Sequence, residues 1–121
     1  MASRTTESKS PLITLGNALA LVFDAIAVAQ KGLLKNPTKE EGRELNERLV
    51  DLELKRAQIR AKLDALIAGS RRVSGPTADQ VKEISTLTGQ VEALKNESIT
   101  ASGAVALTAR VLDLATRVAS A

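Results

Sequence analysis

Residues 38–68 read TKEEGRELNERLVDLELKRAQIRAKLDALIA, and no other stretch of the chain carries so regular a signal. Thr38 stands three residues before Glu41, the spacing at which a hydroxyl and a carboxylate cap each other's backbone N–H groups at a helix start. Leu45, Leu49, Leu52, Ile59, Leu63 and Leu66 then follow at steps of four, three, seven, four and three. That is the a/d seam of a heptad repeat, with Arg56 standing in the gap. A charge at a seam position either sets register at some cost in stability or reaches out to water from the seam edge, and the second is the simpler outcome. Six carboxylates (Glu40, Glu41, Glu44, Glu47, Asp51, Glu53) crowd the first half, and Lys55, Arg56, Arg60 and Lys62 follow in the second. This order suits the helix macrodipole. Glu44–Arg48, Asp51–Lys55 and Arg60–Asp64 are spaced for i,i+4 pairing, each worth about 0.2–0.5 kcal/mol. The stretch predicts a long helix of about 45 Å at 1.5 Å per residue.

Working outward, Ser10-Pro11 is a hydroxyl cap followed by a proline at the first helical position. Leu12, Leu15, Leu19, Val22, Phe23, Ile26 and Leu33 recur at helical spacing after it, until Gly32 and Asn36-Pro37 interrupt the segment. On the other side, residues 69–76 (GSRRVSGP) form the clearest break in the chain, and Thr77 with Gln80 repeats the capping spacing. Ile84, Leu87, Val91, Leu94, Ala101, Val105, Leu112, Ala115 and Ala119 then continue a three-four stripe, with Ser98 and Thr108 at polar positions in it. Gly89 and Gly103 each cost roughly 1 kcal/mol against Ala in a helix interior. The last helix is therefore either continuous or broken near Ser102-Gly103.

No segment alternates with period two, so the expected fold is all-α. The sequence predicts an elongated antiparallel helical hairpin, built up into a three- to four-helix bundle with coiled-coil character. Residues 1–10 read as a flexible polar arm, and residues 11–121 as a single helical domain. Its helices are expected over 11–34, 38–68, 77–101 and 103–119. In this arrangement the seam of residues 45–66 pairs with residues 84–101, and helix 11–34 packs against residues 101–119.

Charge is unevenly spread. Asp24 is the sole ionisable residue between Lys9 and Lys31, and there is none between Glu97 and Arg110. Both stretches are rich in Gly and Ala, which let helix backbones approach closely. Residues 11–30 have the length of a membrane span. Asp24, at about +2.5 to +3.5 kcal/mol, largely offsets their nine large apolar residues in an insertion balance. Ala25-Ile26-Ala27 resembles a signal-peptidase site, but Glu7 and Asp24 interrupt the required pattern. Ile13, Leu21 and Val28 lie off the main stripe of this helix, so it is apolar on more than one face. A helix of that kind needs more partners than one hairpin offers. Self-association is the economical source of them.

Chemistry is largely excluded by composition. The 121 residues contain no His, Cys, Trp or Tyr and one Phe, which removes imidazole and thiol catalysis, disulfides and ordinary zinc sites. The cluster Glu40, Glu41, Glu44 and Glu47 lacks the histidines of a di-metal carboxylate bundle and reads as a solvated helix start. No phosphate-binding glycine loop occurs. We expect a protein that is not an enzyme, with no cofactor, metal or small-molecule substrate. Arg71-Arg72-Val73-Ser74 has the form of a basophilic kinase site with Ser74 as acceptor, although an ordinary solvated turn explains it as well. Asn96-Glu97-Ser98 matches a glycosylation sequon inside a predicted helix and is discounted. The net charge of +3 is scattered, without a basic stripe or an aromatic stacking platform, which argues against nucleic acid as a partner.

What remains is a non-catalytic structural or protein–protein interaction subunit that self-associates, or binds a helical partner, through apolar helix faces. The expected helix seam comprises Leu45, Leu49, Leu52, Ile59, Leu63, Leu66, Ile84, Leu87, Val91 and Leu94. The expected association surface comprises Leu12, Leu15, Leu19, Val22, Phe23, Ile26, Val105 and Leu112. The alternative is a membrane-active protein that inserts or docks helix 11–34 in a bilayer. The sequence carries no signal for a cellular compartment.

Overall fold

The computed structural model describes residues 10–69, 73–96 and 99–120. Four helices make up this part of the chain: α1 (Pro11–Leu33), α2 (Lys39–Ile67), α3 (Ala78–Asn96) and α4 (Ala101–Ser120). There is no strand among the described residues, so the all-α bundle expected from periodicity is the fold. Residues 1–9 of the expected arm lie outside the described residues, as do Arg71, Arg72, Glu97 and Ser98.

The helix starts follow from short-range chemistry. Ser10 Oγ accepts from the Leu12 N–H at 3.2 Å. Thr38 Oγ1 accepts from the Glu41 N–H at 3.1 Å, and Glu41 Oε1 accepts from the Thr38 N–H at 2.9 Å. Thr77 and Gln80 repeat this reciprocal pair. Thr38→Ala removes the oxygen that satisfies one end-of-helix donor and is expected to cost about 1 kcal/mol, measured as a lower thermal midpoint. The final helix breaks earlier than glycine content suggests. Thr100 caps α4, accepting from the Gly103 N–H at 3.0 Å, so Gly103 sits inside the first turn and the break falls before Ala101.

The helix pairing departs from the expected hairpin. α1, α2 and α4 pack against one another in all three combinations, while α3 rests on α1 and more lightly on α4. α2 and α3 scarcely touch. The seam of residues 45–66 therefore does not pair with residues 84–101. Leu45, Leu52 and Ile59 are fully buried, and Leu49, Leu63 and Leu66 edge the same core. Ile84, Leu87 and Val91 are buried on the opposite flank, with Leu94 half-buried at its edge.

The physical reason lies in α1. Its inner residues point in several directions: Leu15, Ala18, Leu21, Val22, Ala25, Ile26, Val28 and Ala29 are all buried. Only a central position among three neighbours removes so broad an apolar surface from water. The connection of residues 68–77 can reach about 33 Å when extended, which is ample to cross the end of the bundle, where helices lie 8–10 Å apart. Gly75 marks the crossing. A Cβ placed on it would lie 2.8 Å from Pro11 Cβ, so this turn passes directly over the start of α1.

Chain direction is fixed by contacts at the two ends. Gly32, at the end of α1, meets Leu45 and Ala104 near the starts of α2 and α4. At the opposite end Lys62 Nζ donates to the Val118 carbonyl at 2.9 Å. α1 is thus antiparallel to α2 and α4, which run parallel to each other. The expected packing of helix 11–34 on residues 101–119 is present, with Ala104, Leu107, Val111, Leu114, Ala115 and Val118 of α4 buried. Thr108 is fully buried in this core and satisfies its hydroxyl by donating to the Ala104 carbonyl at 2.6 Å.

Candidate interaction surface

The expected association surface is divided by the fold. One residue along a helix is about 100° of rotation, and Val22 and Phe23 fall on opposite sides of the boundary this creates. Leu15, Val22 and Ile26 turn into the core, whereas Phe23 is 59% exposed and Leu12 is 43% exposed. Leu19 is half-buried between them, and Val105 and Leu112 on α4 pack against the core as half-buried residues. The apolar breadth of α1, which suggested self-association from sequence, is met largely by α2, α3 and α4 of the same chain.

Around Phe23 the surface forms a groove between α1 and α2, enclosing about 410 Å³ and lined by Phe23, Ile26, Ala27, Gln30, Leu49, Glu53 and Arg56. Arg56 lies at the seam edge with its guanidinium 5.7 Å from the Phe23 ring centroid, and it pairs with Glu53 at 3.5 Å. It has reached outward, as the simpler of the two sequence readings required. An exposed cation–π contact is worth about 0.5–1 kcal/mol. Phe23→Ala is therefore expected to lower stability by no more than about 1 kcal/mol, far below the 3–5 kcal/mol of a buried Phe. Chemical denaturation checks this.

A second exposed apolar row was not singled out from sequence. Val50 is 69% exposed and Leu54 52% exposed, and Ala57 and Ala61 continue the row as exposed residues. These four recur at steps of four, three and four, the same heptad logic that places Leu45, Leu52 and Ile59 inward. Leu54 sits about 200° round the helix from Leu52, on the side of α2 that faces no other described helix. The signal was present in the spacing, but the stronger leucine seam on the same helix masked it.

Two further grooves enclose smaller volumes. One lies between α1 and α3, encloses about 270 Å³, and gathers Thr14, Asn17, Asp24, Ser85 and Thr88 around Leu21, Val81 and Ile84. The other, between α3 and α4, encloses about 330 Å³ beside the 2.8 Å hydrogen bond from Arg110 to Gln90. Arg117 ties α3 to α4, donating to Glu83 at 2.6 Å and to Asp113 at 3.1 Å. The hydrogen bond to Glu83 is the main cause that holds the Arg117 pKa above its ordinary value. Burial lowers that of Lys62. Its charged form is thus less favoured in the folded chain, so its contribution to stability rises with pH in the window just below the ordinary lysine value.

Among the described residues no group of three or more His, Cys, Asp or Glu is placed to hold a metal ion. The i,i+4 pair Arg60–Asp64 is formed at 3.1 Å. Lys55 instead donates to Gln58 at 3.3 Å, and Arg43 adds pairs to Glu40 and Glu47. These are exposed contacts of small individual worth. Ser74 is exposed, and the two arginines of its motif fall outside the described residues. α1 is long and apolar enough to cross a membrane, and half of its most apolar window is buried inside the bundle. Comparison with protein-family models, with curated protein sequences and with solved structures finds no match.

Proposed function

We propose that this chain is a non-catalytic helical interaction subunit that self-associates through apolar helix faces its own bundle leaves uncovered. The observation that carries this reading is the outward placement of Phe23, Val50 and Leu54 in a fold that buries most of its other large apolar side chains. Helical partners dock on such rows through residues at three- and four-residue steps, and contiguous exposed apolar surface on a small protein marks an interaction site. The sequence contains neither His nor Cys, which removes imidazole and thiol chemistry and favours a role in assembly over one in turnover.

Sedimentation velocity tests the reading. The sedimenting mass is expected to rise above the 12.8 kDa of one chain as concentration increases. A constant monomer mass up to about 1 mM, where even the weak end of the interface range shows, overturns it. Flotation with neutral or anionic vesicles is expected to leave the protein in the bottom fraction. Co-flotation would replace the helix-on-helix reading with a lipid-docked α1.

A further inference from the structure

We propose that the outer row of α2, Val50–Leu54–Ala57–Ala61, is a homotypic contact that takes the same row of a second copy in antiparallel orientation; this rests on reading the chain as a self-associating subunit. The row is about 18 Å long at 1.5 Å per residue. It lies on the side of α2 away from α1 and α4, where Val50 and Leu54 are more than half exposed and no other described helix reaches.

Charge complementarity names the occupant. In residues 39–54 six carboxylates oppose three cations, and in residues 55–67 four cations oppose one carboxylate. The sign therefore reverses between Glu53 and Lys55, within two residues of the midpoint of the apolar row. A copy laid antiparallel about that midpoint sets each acidic half on a basic half. A parallel copy sets like on like, which is unfavourable at close quarters. The same operation matches size. Leu54 of one copy falls against Ala57 of the other, and Val50 against Ala61, so every layer joins a large side chain to a small one. Such a self-complementary patch is what a two-fold dimer requires. One step beyond the row at each end, the same operation sets Glu47 of one copy level with Asp64 of the other, a like-charge layer that opposes the contact. Each carboxylate is paired within its own helix, to Arg43 at 3.4 Å and Arg60 at 3.1 Å, and there the favourable contact stops. A contact of this length falls below about 1,200 Å² of buried surface, the range of weak and transient association.

The test compares the wild type with Leu54→Glu, Ala57→Glu and Thr86→Glu by sedimentation velocity, with circular dichroism to show that each remains helical. Because residues 54, 57 and 86 are all exposed, each variant is expected to keep its fold. The dimer dissociation constant should rise at least about tenfold for Leu54→Glu and for Ala57→Glu, because each sets a carboxylate in an apolar layer. It should move by less than about twofold for Thr86→Glu, which adds the same charge on α3, a helix that scarcely touches α2. The chain lacks cysteine, so a single spin label at Asn46→Cys reads orientation cleanly. The antiparallel dimer separates the two labelled backbones by about 30 Å, a parallel one by about 10 Å.

Association that survives both Leu54→Glu and Ala57→Glu, or a separation near 10 Å, overturns the α2 contact and leaves self-association through another face standing. A wild-type chain that stays monomeric overturns both.

Discussion

Leu52→Ala is expected to cost about 2–5 kcal/mol of folding stability, a fall of roughly 10–20 °C in thermal midpoint for a domain of this size. Leu52 is fully buried at the centre of α2, on the face turned toward both α1 and α4. Two backbones must close on the vacated space, and neither can move without opening its contact with the other. The cavity term is therefore expected near the upper part of the range. Leu94→Ala gives the contrast. Leu94 is half-buried at the edge of the open α3–α4 groove, so water and small shifts of α3 relieve much of the loss, and a cost below about 2 kcal/mol is expected. Urea denaturation of both variants checks the pair. Equal large losses would mean that Leu94 meets Leu52 in a shared seam, which is the hairpin that periodicity suggested and the fold replaces.

The difference between those two leucines shows which parts of the structure were legible in the chain. Features set within four residues could be read directly: the Ser10-Pro11 start, the Thr38–Glu41 box, the Thr77–Gln80 pair, and the inward phase of Leu45, Leu52 and Ile59. Each depends on local backbone geometry and on spacing alone. Pairing between helices depends on which apolar faces compete for the same neighbour. α2 and α3 carry matching stripes and a turn-rich connection, which favours a hairpin in isolation. α1 competes for both, and being apolar on several faces it gains more by standing between them. The break before α4 falls a few residues ahead of the expected Ser102-Gly103 for a smaller reason. Thr100 has no partner glutamate three residues on, only Gly103, so its cap leaves a weak trace in the sequence. Of the expected association surface, Phe23 and Leu12 are exposed, whereas Leu15, Val22 and Ile26 face the core, because a stripe at three- and four-residue steps spans more than 100° of helix.

Gly32→Ala tests a close approach of α1 to α4, and it is expected to run against helix propensity. In an exposed helix interior, Ala in place of Gly stabilises by about 1 kcal/mol. At Gly32 the added Cβ would stand 2.6 Å from Ala104 Cβ and 3.1 Å from a Leu45 methyl. The first of these is attached directly to the α4 backbone, so no side-chain rotation relieves it. The second belongs to a leucine that is fully buried and has little room to turn. α1 and α4 must therefore separate at this end, with overpacking costs of about 1–3 kcal/mol that outweigh the propensity gain. Gly32→Leu should cost more, since the whole side chain has to be placed between two helices already in contact. Gly89→Ala and Gly16→Ala provide the opposite sign. An added Cβ meets nothing within 4 Å at either position, so each should raise stability by about 0.5–1 kcal/mol. Thermal melts of the three alanine variants separate the cases without ambiguity of direction. If Gly32→Ala rose alongside the other two, α1 and α4 would not meet at Ala104, and the central position of α1 would lose one of its supports.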